Sequence, residues 1–364
     1  MTPAGILQVR VDLGPRSYPI LIGAGCRFQL ADLVRYRSRT PQLVVIADQN
    51  VANTHGAALA AALPTPPLFL PFTPGETSKS LAECQRLYDA LAAARIERQA
   101  ILLTFGGGVA GDLGGFVAAT WLRGVAYIQV PTTLLAAIDA SVGGKTGLNL
   151  AAGKNLVGAF HQPLAVVVDL DFLTTLPTRT YTAGLAESMK HALIRAPDLL
   201  AWHEQNADAI AARVPAVLGE LIARNCAIKA AVVAADEREA DLRAILNYGH
   251  TIGHALEHLL DYELQHGECV ALGMLVENEI ARRRGLLDAA LAERVRTLMA
   301  RLGLPVRLPR PVAAAAVQEV CAVDKKVAEG AVTFVLLRGV GEPVKVRDVA
   351  PAEIAAALEV IAPA

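Results

Sequence analysis

The stretch AILLTFGGGVAGDLGGF (residues 100–116) decides the fold class. Its first part is a short apolar run typical of a buried strand, and its second part is a glycine-rich turn that opens a helix. Backbone amides at the N-terminus of such a helix are well placed to bind a phosphate group. We therefore predict a strand, an anion-binding loop at residues 106–112 and a helix, which together begin an α/β unit.

The glycine run has two interpretations. Gly106, Gly108 and Gly111 satisfy the pattern G-x-G-x-x-G, but this pattern alone is weak evidence for a dinucleotide. The acidic residue expected about 20 positions later is missing, and Asp48, at the end of an earlier strand, is the nearest candidate for binding a ribose diol. The alternative is a tight turn that lets a helix pack closely on the sheet.

Strand and helix patterns alternate on both sides of this loop. QVRVDLG (8–14) and YPILIG (18–23) have the pattern of a hairpin, and SKSLAECQRLYDALAAARIE (78–97) has the 3.6-residue period of a helix that covers a sheet. Further core strands are predicted at QLVVIAD (42–48), LFLPF (68–72), VAYIQV (125–130) and LAVVVDL (164–170). Such alternation favours a Rossmann-like, doubly wound and mostly parallel sheet.

The pattern changes after Leu176-Pro177, where long helical segments replace the strands. A single late β-like piece, AVTFVLL (331–337), interrupts them. We therefore predict an α/β domain over residues 1–176 and a mostly α-helical domain over residues 177–364, with a cleft between them.

Composition excludes several classes of protein. The 364 residues carry a formal net charge of −1, so no global field would attract nucleic acid or an anionic membrane. No apolar run approaches the ~20 residues that span a bilayer, and the first residues lack the pattern of a secretory signal. The five cysteines stand singly, as expected for reduced thiols in a cytoplasmic protein.

Two lysine-containing segments are candidate anion sites. SVGGKTG (141–147) resembles a P-loop, but Asp139 occupies the position of the first glycine, so that pattern fails. Lys154 lies in a second glycine-containing segment, followed by Asn155. These residues indicate either an anion site made by loops or ordinary solvated lysines.

Four of the eight histidines fall between positions 250 and 266. His250, His254 and His258 recur at i, i+4 and i+8, so they form a slowly drifting stripe on a helix. His266 follows in a turn-like His-Gly-Glu context that could fold back toward this stripe. A single histidine is more often a structural residue than a ligand, and we interpret His258 as structural.

A carboxylate more than sixty positions earlier is a candidate third ligand. Glu187 and Lys190 lie three residues apart on one predicted helix face. They form either a surface ion pair or a metal ligand beside a phosphate partner. Glu187 with His250 and His266 would make a two-histidine, one-carboxylate site with an open position, as in catalytic zinc sites.

Seven segments in order give the chain a specific resemblance to the 3-dehydroquinate synthases, a family of sugar-phosphate cyclases. They are GGGVAGDLGGF, RGVAYIQVPTTLLAAIDASVGGKTG, GKNLVGAFHQP, GLAESMKHALI, RAILNYGHTIGHALEH, HGE and the late Asp324-Lys325-Lys326. The glycine loop is also found in metal-dependent alcohol and polyol dehydrogenases, whereas the lysine segments and NYGHTIGH are typical of the cyclases. The chain departs from the family pattern at Trp121, Ala137 and Tyr248, none of which is an expected ligand.

The resemblance implies a homodimeric cytoplasmic enzyme of the shikimate pathway. Its substrate would be 3-deoxy-D-arabino-heptulosonate 7-phosphate, its products 3-dehydroquinate and phosphate, and its cofactors NAD and Zn²⁺ or Co²⁺. NAD would oxidise a substrate hydroxyl, phosphate would leave by elimination, the hydride would return, and an aldol closure would form the ring.

The same resemblance implies three sets of site residues. The metal ligands would be Glu187, His250 and His266. The NAD site would comprise Asp48, Gly75, Glu76, Lys79, Gly107, Gly108, Val109, Ala110, Gly111, Asp112, Thr132, Thr133, Lys145, Lys154, Phe172, Leu173, Thr174 and Thr175. The substrate site would comprise Asp139, Lys145, Asn155, Lys190, Lys229, Arg243, Asn247, His254 and Lys325, with Arg123 of the partner subunit.

Within the substrate site, phosphate and carboxylate would be bound by different residues. Lys229 and Arg243 would bind the carboxylate, and the phosphate would be held by Asn155, Lys190, His254 and Lys325. A cyclase acting on a sugar phosphate without a carboxylate is the nearest alternative. A polyol dehydrogenase would release NADH at each turnover and would leave the lysine segments without a role, and a catalytically silent binding protein would not need the complete set.

Overall fold

The structure is a computed structural model that describes residues 5–37, 42–239, 242–261, 263–323 and 332–363. The chain forms two compact units, Met1–Pro177 with Leu218–Arg238, and Thr178–Val217 with Glu239–Ala364. The first change of unit lies one residue after the boundary predicted from the sequence. The segment Leu218–Arg238 belongs to the first unit, whereas the sequence placed it in the second domain. Apolar residues of this helical segment pack in the first unit, where the Cys226 thiol lies 3.3 Å from the Ala137 carbonyl oxygen.

The first unit contains a seven-stranded sheet with the order β1-β2-β9-β6-β5-β3-β4. Strands β1 and β2 pair antiparallel, which confirms the predicted hairpin, and the other neighbouring strands are parallel. The strands of this sheet are β1 (Leu7–Val11), β2 (Tyr18–Gly23), β3 (Leu43–Asp48), β4 (Leu68–Phe72), β5 (Ile101–Gly106), β6 (Ala126–Pro131) and β9 (Ala165–Asp169).

Helices and two apolar cores cover this sheet. The helices are α1 (Leu30–Arg37), α2 (Gln49–Ala60), α3 (Leu81–Ala93) and α4 (Gly108–Thr120). One core contains Leu113 and Val117 of α4, and the other contains Leu30 of α1 and Leu59 of α2. This arrangement confirms the predicted doubly wound, Rossmann-like sheet.

The lysine segments form a β-hairpin rather than the loops expected from the sequence. Strands β7 (Lys145–Leu150) and β8 (Gly153–Phe160) pair antiparallel, with an irregularity between Leu148 and Leu150. Gly147 and Gly158 permit this pairing, because a Cβ at Gly158 would lie 2.4 Å from the carbonyl oxygen of Thr146. Glycine content therefore concealed the strand character of both segments.

The second unit is mainly helical, as predicted. Its helices are α5 (Thr178–Arg195), α6 (Pro197–Ala211), the start of α7 (Pro215–Ala235), α8 (His250–Leu259), α9 (His266–Arg283), α10 (Ala289–Arg301), α11 (Ala314–Val323) and α12 (Pro351–Leu358). The predicted late strand is β10 (Phe334–Leu337), but it pairs with a second strand, β11 (Pro343–Val346), that we did not predict. No helix among the described residues is long and apolar enough to cross a membrane.

Candidate functional site

Close glycine contacts bring three helices of the second unit together. A Cβ at Gly273 of α9 would lie 2.0 Å from the carbonyl oxygen of Gly249, immediately before α8. A Cβ at Gly267, also on α9, would lie 1.9 Å from the carbonyl oxygen of Ala183 on α5. Because the blocking atoms belong to the backbone, only glycine allows α5, α8 and α9 to approach this closely.

The three predicted metal ligands meet where these helices converge. The Nε2 atoms of His250 and His266 lie 3.5 Å and 3.6 Å from the same Glu187 oxygen, Oε1. His266 is the first residue of α9 rather than part of a turn, and a capping box of Gln265 and Glu268 fixes this helix start. Two imidazole nitrogens and a carboxylate oxygen around one point are the donor set of a catalytic zinc site.

Lys190 completes the surroundings of the carboxylate. Glu187 and Lys190 are each 1% exposed and their charged groups are in contact, so the alternative of a surface ion pair is wrong. Glu187 Oε2 contacts Lys190, whereas Oε1, the oxygen that faces both histidines, is buried without a hydrogen bond of normal geometry from the described residues. A divalent cation coordinated by this carboxylate would supply the missing interaction, so these residues fit the metal that the resemblance implies.

His254 lies in the same cluster and offers an alternative ligand set. Candidate ligand atoms of His250, His254 and His266 all lie within 4.8 Å of one another. His254 is exposed and its ring centroid is 5.3 Å from that of His250. Its expected role toward phosphate remains a prediction. His258 is exposed on the last turn of α8, so it does not pack in the core.

The electrostatics of the cluster depend on burial and on Glu187. Burial would raise the pKa of Glu187, but the Lys190 charge and the two histidines outweigh it and hold this pKa well below its usual range. Burial lowers the pKa of His250 to about 4 despite the attraction of Glu187. For His266, burial also acts downward, but contacts with Glu187 and Glu257 prevail and raise its pKa to about 9.

In the first unit, the glycine loop lies at the point where the sheet changes winding direction. Strands β3 and β5 are neighbours, and a Cβ at Gly106 would lie 3.3 Å from the Cβ of Asp48. No side chain of the described residues caps α4, whose first intrahelical hydrogen bond runs from the Gly111 amide to the Gly107 carbonyl. The preceding amides are available to an anion at the carboxyl ends of the strands, where such sheets bind nucleotides.

Close packing explains other glycines of the same run. A Cβ at Gly111 would lie 2.7 Å from Gln129 Oε1, and one at Gly114 would lie 2.7 Å from Thr104 Cγ2. At Gly108, by contrast, the one contact that a Cβ would make within 4 Å among the described residues is with the Ala140 Cβ, at an ordinary 3.6 Å. Packing therefore accounts for the later glycines but not for Gly108, and dinucleotide binding at the helix start stays a prediction.

Other residues expected at the NAD site have mixed surroundings. Asp48 caps α2, accepting hydrogen bonds from the Asn50 and Val51 amides through Oδ1. Thr132 is buried and its hydroxyl has no hydrogen-bond partner among the described residues. Thr133 accepts a hydrogen bond from the Ala136 amide. Phe172 and Leu173 are buried, Thr174 is exposed, and the Thr175 hydroxyl lies 2.7 Å from His55 Nε2.

A polar network joins the 75–79 loop to the β7–β8 hairpin. The Lys79 ammonium contacts Asp112, at 2.5 Å, and the side-chain oxygen of Asn155. Asn149 accepts a hydrogen bond from the Asn155 amide and donates one to Glu76. Lys79, expected at NAD, and Asn155, expected at phosphate, are thus in direct contact, with Lys79 only 4% exposed.

The remaining predicted residues are distributed over both units. In the first unit, Lys229 forms an ion pair with Asp139, which lies on a rare π-helical turn, Ala136–Ala140, of a kind often found at functional sites. Lys145 and Arg123 are exposed there and Lys154 is partly buried. In the second unit, Arg243 is 1% exposed and Asn247 is exposed. Lys325 lies outside the described residues.

Sequence reasoning missed three residues that support the site. Asn149 joins the 75–79 loop to the β7–β8 hairpin, and Glu257 contacts His266 at 3.3 Å. Glu277 is fully buried and accepts a hydrogen bond from the Gly249 amide, at the turn before His250. Helical spacing was a usable signal for Glu257, which lies seven residues after His250, but the other two contacts required the fold.

Comparison with known proteins identifies the family. The family model described as 3-dehydroquinate synthase N-terminal matches residues 69–183, and the C-terminal model matches residues 184–327. The 3-dehydroquinate synthase of Symbiobacterium thermophilum is 45% identical over 358 residues, covering 96% of this chain and 99% of that protein.

Two solved structures have the same fold with cofactors bound. One is 2-deoxy-scyllo-inosose synthase with carbaglucose-6-phosphate, NAD⁺ and Co²⁺, at 28% identity and TM-score 0.87, covering 96% of this chain and 100% of that one. The other is 2-epi-5-epi-valiolone synthase from Streptomyces hygroscopicus subsp. jinggangensis with NAD⁺ and Zn²⁺, at 30% identity and TM-score 0.88, covering 96% and 98%. With both family models matched and near-complete coverage of a curated relative, the chain belongs to the 3-dehydroquinate synthase family.

Proposed function

We propose that this protein is a 3-dehydroquinate synthase that converts 3-deoxy-D-arabino-heptulosonate 7-phosphate to 3-dehydroquinate and phosphate. The observation that carries the proposal is the convergence of Glu187, His250 and His266 beside the buried Lys190, in a chain 45% identical to a curated synthase. We propose NAD and Zn²⁺ or Co²⁺ as cofactors, a homodimer, and a cytoplasmic location, in keeping with five buried free cysteines.

The metal would be held by Glu187, His250 and His266. A bound divalent metal would lower the pKa of the substrate hydroxyl to be oxidised, and NAD would accept and later return the hydride. The low pKa of Glu187 keeps this carboxylate ionised and able to bind a cation. Burial keeps His250 neutral at physiological pH, as a ligand must be.

The NAD pyrophosphate would bind at the N-terminus of α4. The amides ahead of the first intrahelical bond supply donors, and the nearby Asp48 retains a second carboxylate oxygen for a ribose hydroxyl. The Thr132 hydroxyl, buried and unpaired among the described residues, is a further donor or acceptor at this strand end. Lys79, Lys145 and Lys154 would add positive charge.

The substrate's two anionic groups would be bound by separate cationic residues. The buried guanidinium of Arg243 and the ammonium of Lys229 suit the carboxylate, because a guanidinium matches its planar geometry. Lys190, Asn155, His254 and Lys325 would bind the phosphate. Holding both ends limits the substrate to conformers in which the phosphate can leave and the ring can close.

Phosphate release with a limiting amount of NAD tests this function. Purified protein is incubated with the heptulosonate phosphate, Co²⁺ or Zn²⁺, and NAD at one tenth of the substrate concentration. We expect several phosphates released per NAD, without accumulation of absorbance from NADH. NADH formed in step with substrate loss would instead identify a dehydrogenase.

A second substrate distinguishes this synthase from the other cyclases of similar fold. Sedoheptulose 7-phosphate lacks the carboxylate that Arg243 and Lys229 are proposed to bind. We expect this sugar to release phosphate far more slowly than the heptulosonate phosphate under the same conditions. A reversed preference would overturn the proposed substrate while leaving the proposed cofactors in place.

A further inference from the structure

Glu257 is a buried acidic residue of α8 to which the proposed reaction gives no role. It is 8% exposed, although it lies on a helix whose neighbouring His254 and His258 are exposed. In an α-helix each residue turns by about 100°, so a residue seven positions on lies only about 20° from the starting direction. Glu257 therefore shares the face of His250 and points toward the same cluster.

The carboxylate of Glu257 contacts one nitrogen of His266, and the other nitrogen faces Glu187. The distance from Glu257 Oε2 to His266 Nδ1 is 3.3 Å, and the distance from His266 Nε2 to Glu187 Oε1 is 3.6 Å. A neutral imidazole carries one N–H, so donation from Nδ1 to Glu257 leaves the lone pair of Nε2 free. That nitrogen is the one directed at the proposed metal.

His250 shows the same arrangement with a weaker acceptor. Its Nδ1 lies 3.1 Å from the backbone carbonyl oxygen of Tyr248, and its Nε2 lies 3.5 Å from Glu187 Oε1. Both proposed histidine ligands are thus anchored at Nδ1 and turned so that Nε2 faces one point. Of the two, only His266 has a carboxylate of the described residues behind it, and a carboxylate makes an imidazole a stronger electron-pair donor than a neutral carbonyl does.

We propose that Glu257 is a positioning residue that fixes the Nδ1–H tautomer and ring orientation of His266 and so increases the affinity for the divalent metal. The proposal rests on the metal site of the proposed function but not on the identity of the substrate. Removing such a carboxylate behind a histidine ligand typically costs 10- to 100-fold in metal affinity.

Metal affinity and the histidine tautomer test this role directly. Zn²⁺ affinity is measured by competition with a chromophoric chelator for wild type, Glu257→Ala, Glu257→Gln and the control Glu293→Ala, which removes an exposed acid from α10. We expect about 10- to 100-fold weaker binding for Glu257→Ala, a smaller loss for Glu257→Gln, which still accepts a hydrogen bond, and no change for the control.

The tautomer distinguishes positioning from a general structural effect. In ¹⁵N-histidine-labelled, zinc-loaded wild-type protein, His266 should show a proton on Nδ1 and metal-bound Nε2. If Glu257→Ala fails to fold, Glu257→Gln carries the test, because glutamine has nearly the same size and shape. Wild-type zinc affinity in Glu257→Ala would overturn the inference. If Glu257→Ala does not fold, wild-type zinc affinity in Glu257→Gln would overturn it, and a proton on Nε2 of His266 would do so in either case.

The test also separates this inference from the proposed function. Weaker zinc binding in the Glu257 variants, with no phosphate released by wild type, would support the role of Glu257 and refute the proposed substrate. Unchanged zinc binding in the variants, with normal turnover by wild type, would refute the role of Glu257 and support the proposed substrate.

Discussion

The glycine loop and the histidine cluster are built on opposite principles. The loop at the start of α4 is contiguous in sequence, and its available groups are backbone amides. The cluster takes Glu187 from α5, His250 from α8 and His266 from α9, and its available groups are side chains. A loop of the first kind is specified by local residues, whereas a cluster of the second kind exists only when three helices approach at fixed distances.

The largest effect should come from removing one proposed ligand. His250→Ala should lower kcat/KM by about 1,000-fold, about 4 kcal/mol, because the metal's contribution to the transition state is lost. Bound metal, measured by elemental analysis of the purified protein, should fall in parallel, while NAD affinity should stay unchanged. A variant that retains stoichiometric metal would remove His250 from the ligand set.

The helix approach can be broken without touching a ligand. Gly273→Ala places a methyl group 2.0 Å from a backbone oxygen, so α8 and α9 must separate. We expect a loss of about 3 kcal/mol of unfolding free energy, measured by urea denaturation, with weaker zinc binding. Gly56→Ala on α2 is the control, since its Cβ meets only ordinary contacts, at 3.5 Å, and should leave the protein as stable or slightly more stable. Equal stability of the two variants would contradict the packing argument.

The two sites should also differ in their dependence on pH. In the metal-free protein the pKa of His266 is raised to about 9, so its proton stabilises the fold below about pH 6.5 and this contribution is lost as pH rises through 9. Zn²⁺ must displace that proton, so its apparent affinity should rise by up to about 10-fold per pH unit from pH 6.5 to 8.5. Backbone amides do not titrate in this range, and NAD affinity should change by less than about two-fold. Calorimetric titrations at several pH values provide both affinities, and a flat zinc profile would count against protonated His266.

The smallest effect distinguishes the two roles of glycine in the loop. Gly108→Ala should leave the melting temperature unchanged, because its Cβ fits, yet should weaken NAD binding by about 10-fold if the pyrophosphate approaches this backbone. Gly114→Ala should do the opposite, lowering the melting temperature through its 2.7 Å contact with Thr104 while leaving NAD affinity unchanged. The same response from both variants would mean that the run has only one role.

The contrast between loop and cluster also explains what the sequence could predict. The strands of the first unit have β-branched runs, and the hairpin and the α/β class followed from them. Strands β7 and β8 were missed because their glycines dilute that signal. Strand β11 was missed because its sequence, PVKV, begins with proline and contains a lysine, and so lacks the continuous apolar run of β10, FVLL. The grouping of Leu218–Arg238 with the first unit has no local signature, since an apolar helix face does not indicate its partner.

At the candidate site, the sequence supplied the residue types but not their arrangement. Glu187 was one candidate ligand among the acidic residues, and the resemblance also implied it. No local sequence pattern connects it with histidines more than sixty positions later. The stripe of His250, His254 and His258 was placed on α8 correctly, but at 100° per residue His258 lies about 80° from His250, which explains its exposure. Glu257 is closer to that direction, so the same periodicity applied to acidic residues would have found it.

Anomalous diffraction from zinc-loaded crystals at the zinc absorption edge would locate the metal and its ligands. We expect one zinc site with Nε2 of His250, Nε2 of His266 and a Glu187 oxygen at about 2.0–2.2 Å, and with His254 outside the coordination sphere. Zinc bound by His250, His254 and His266 without Glu187 would contradict the proposed ligand set.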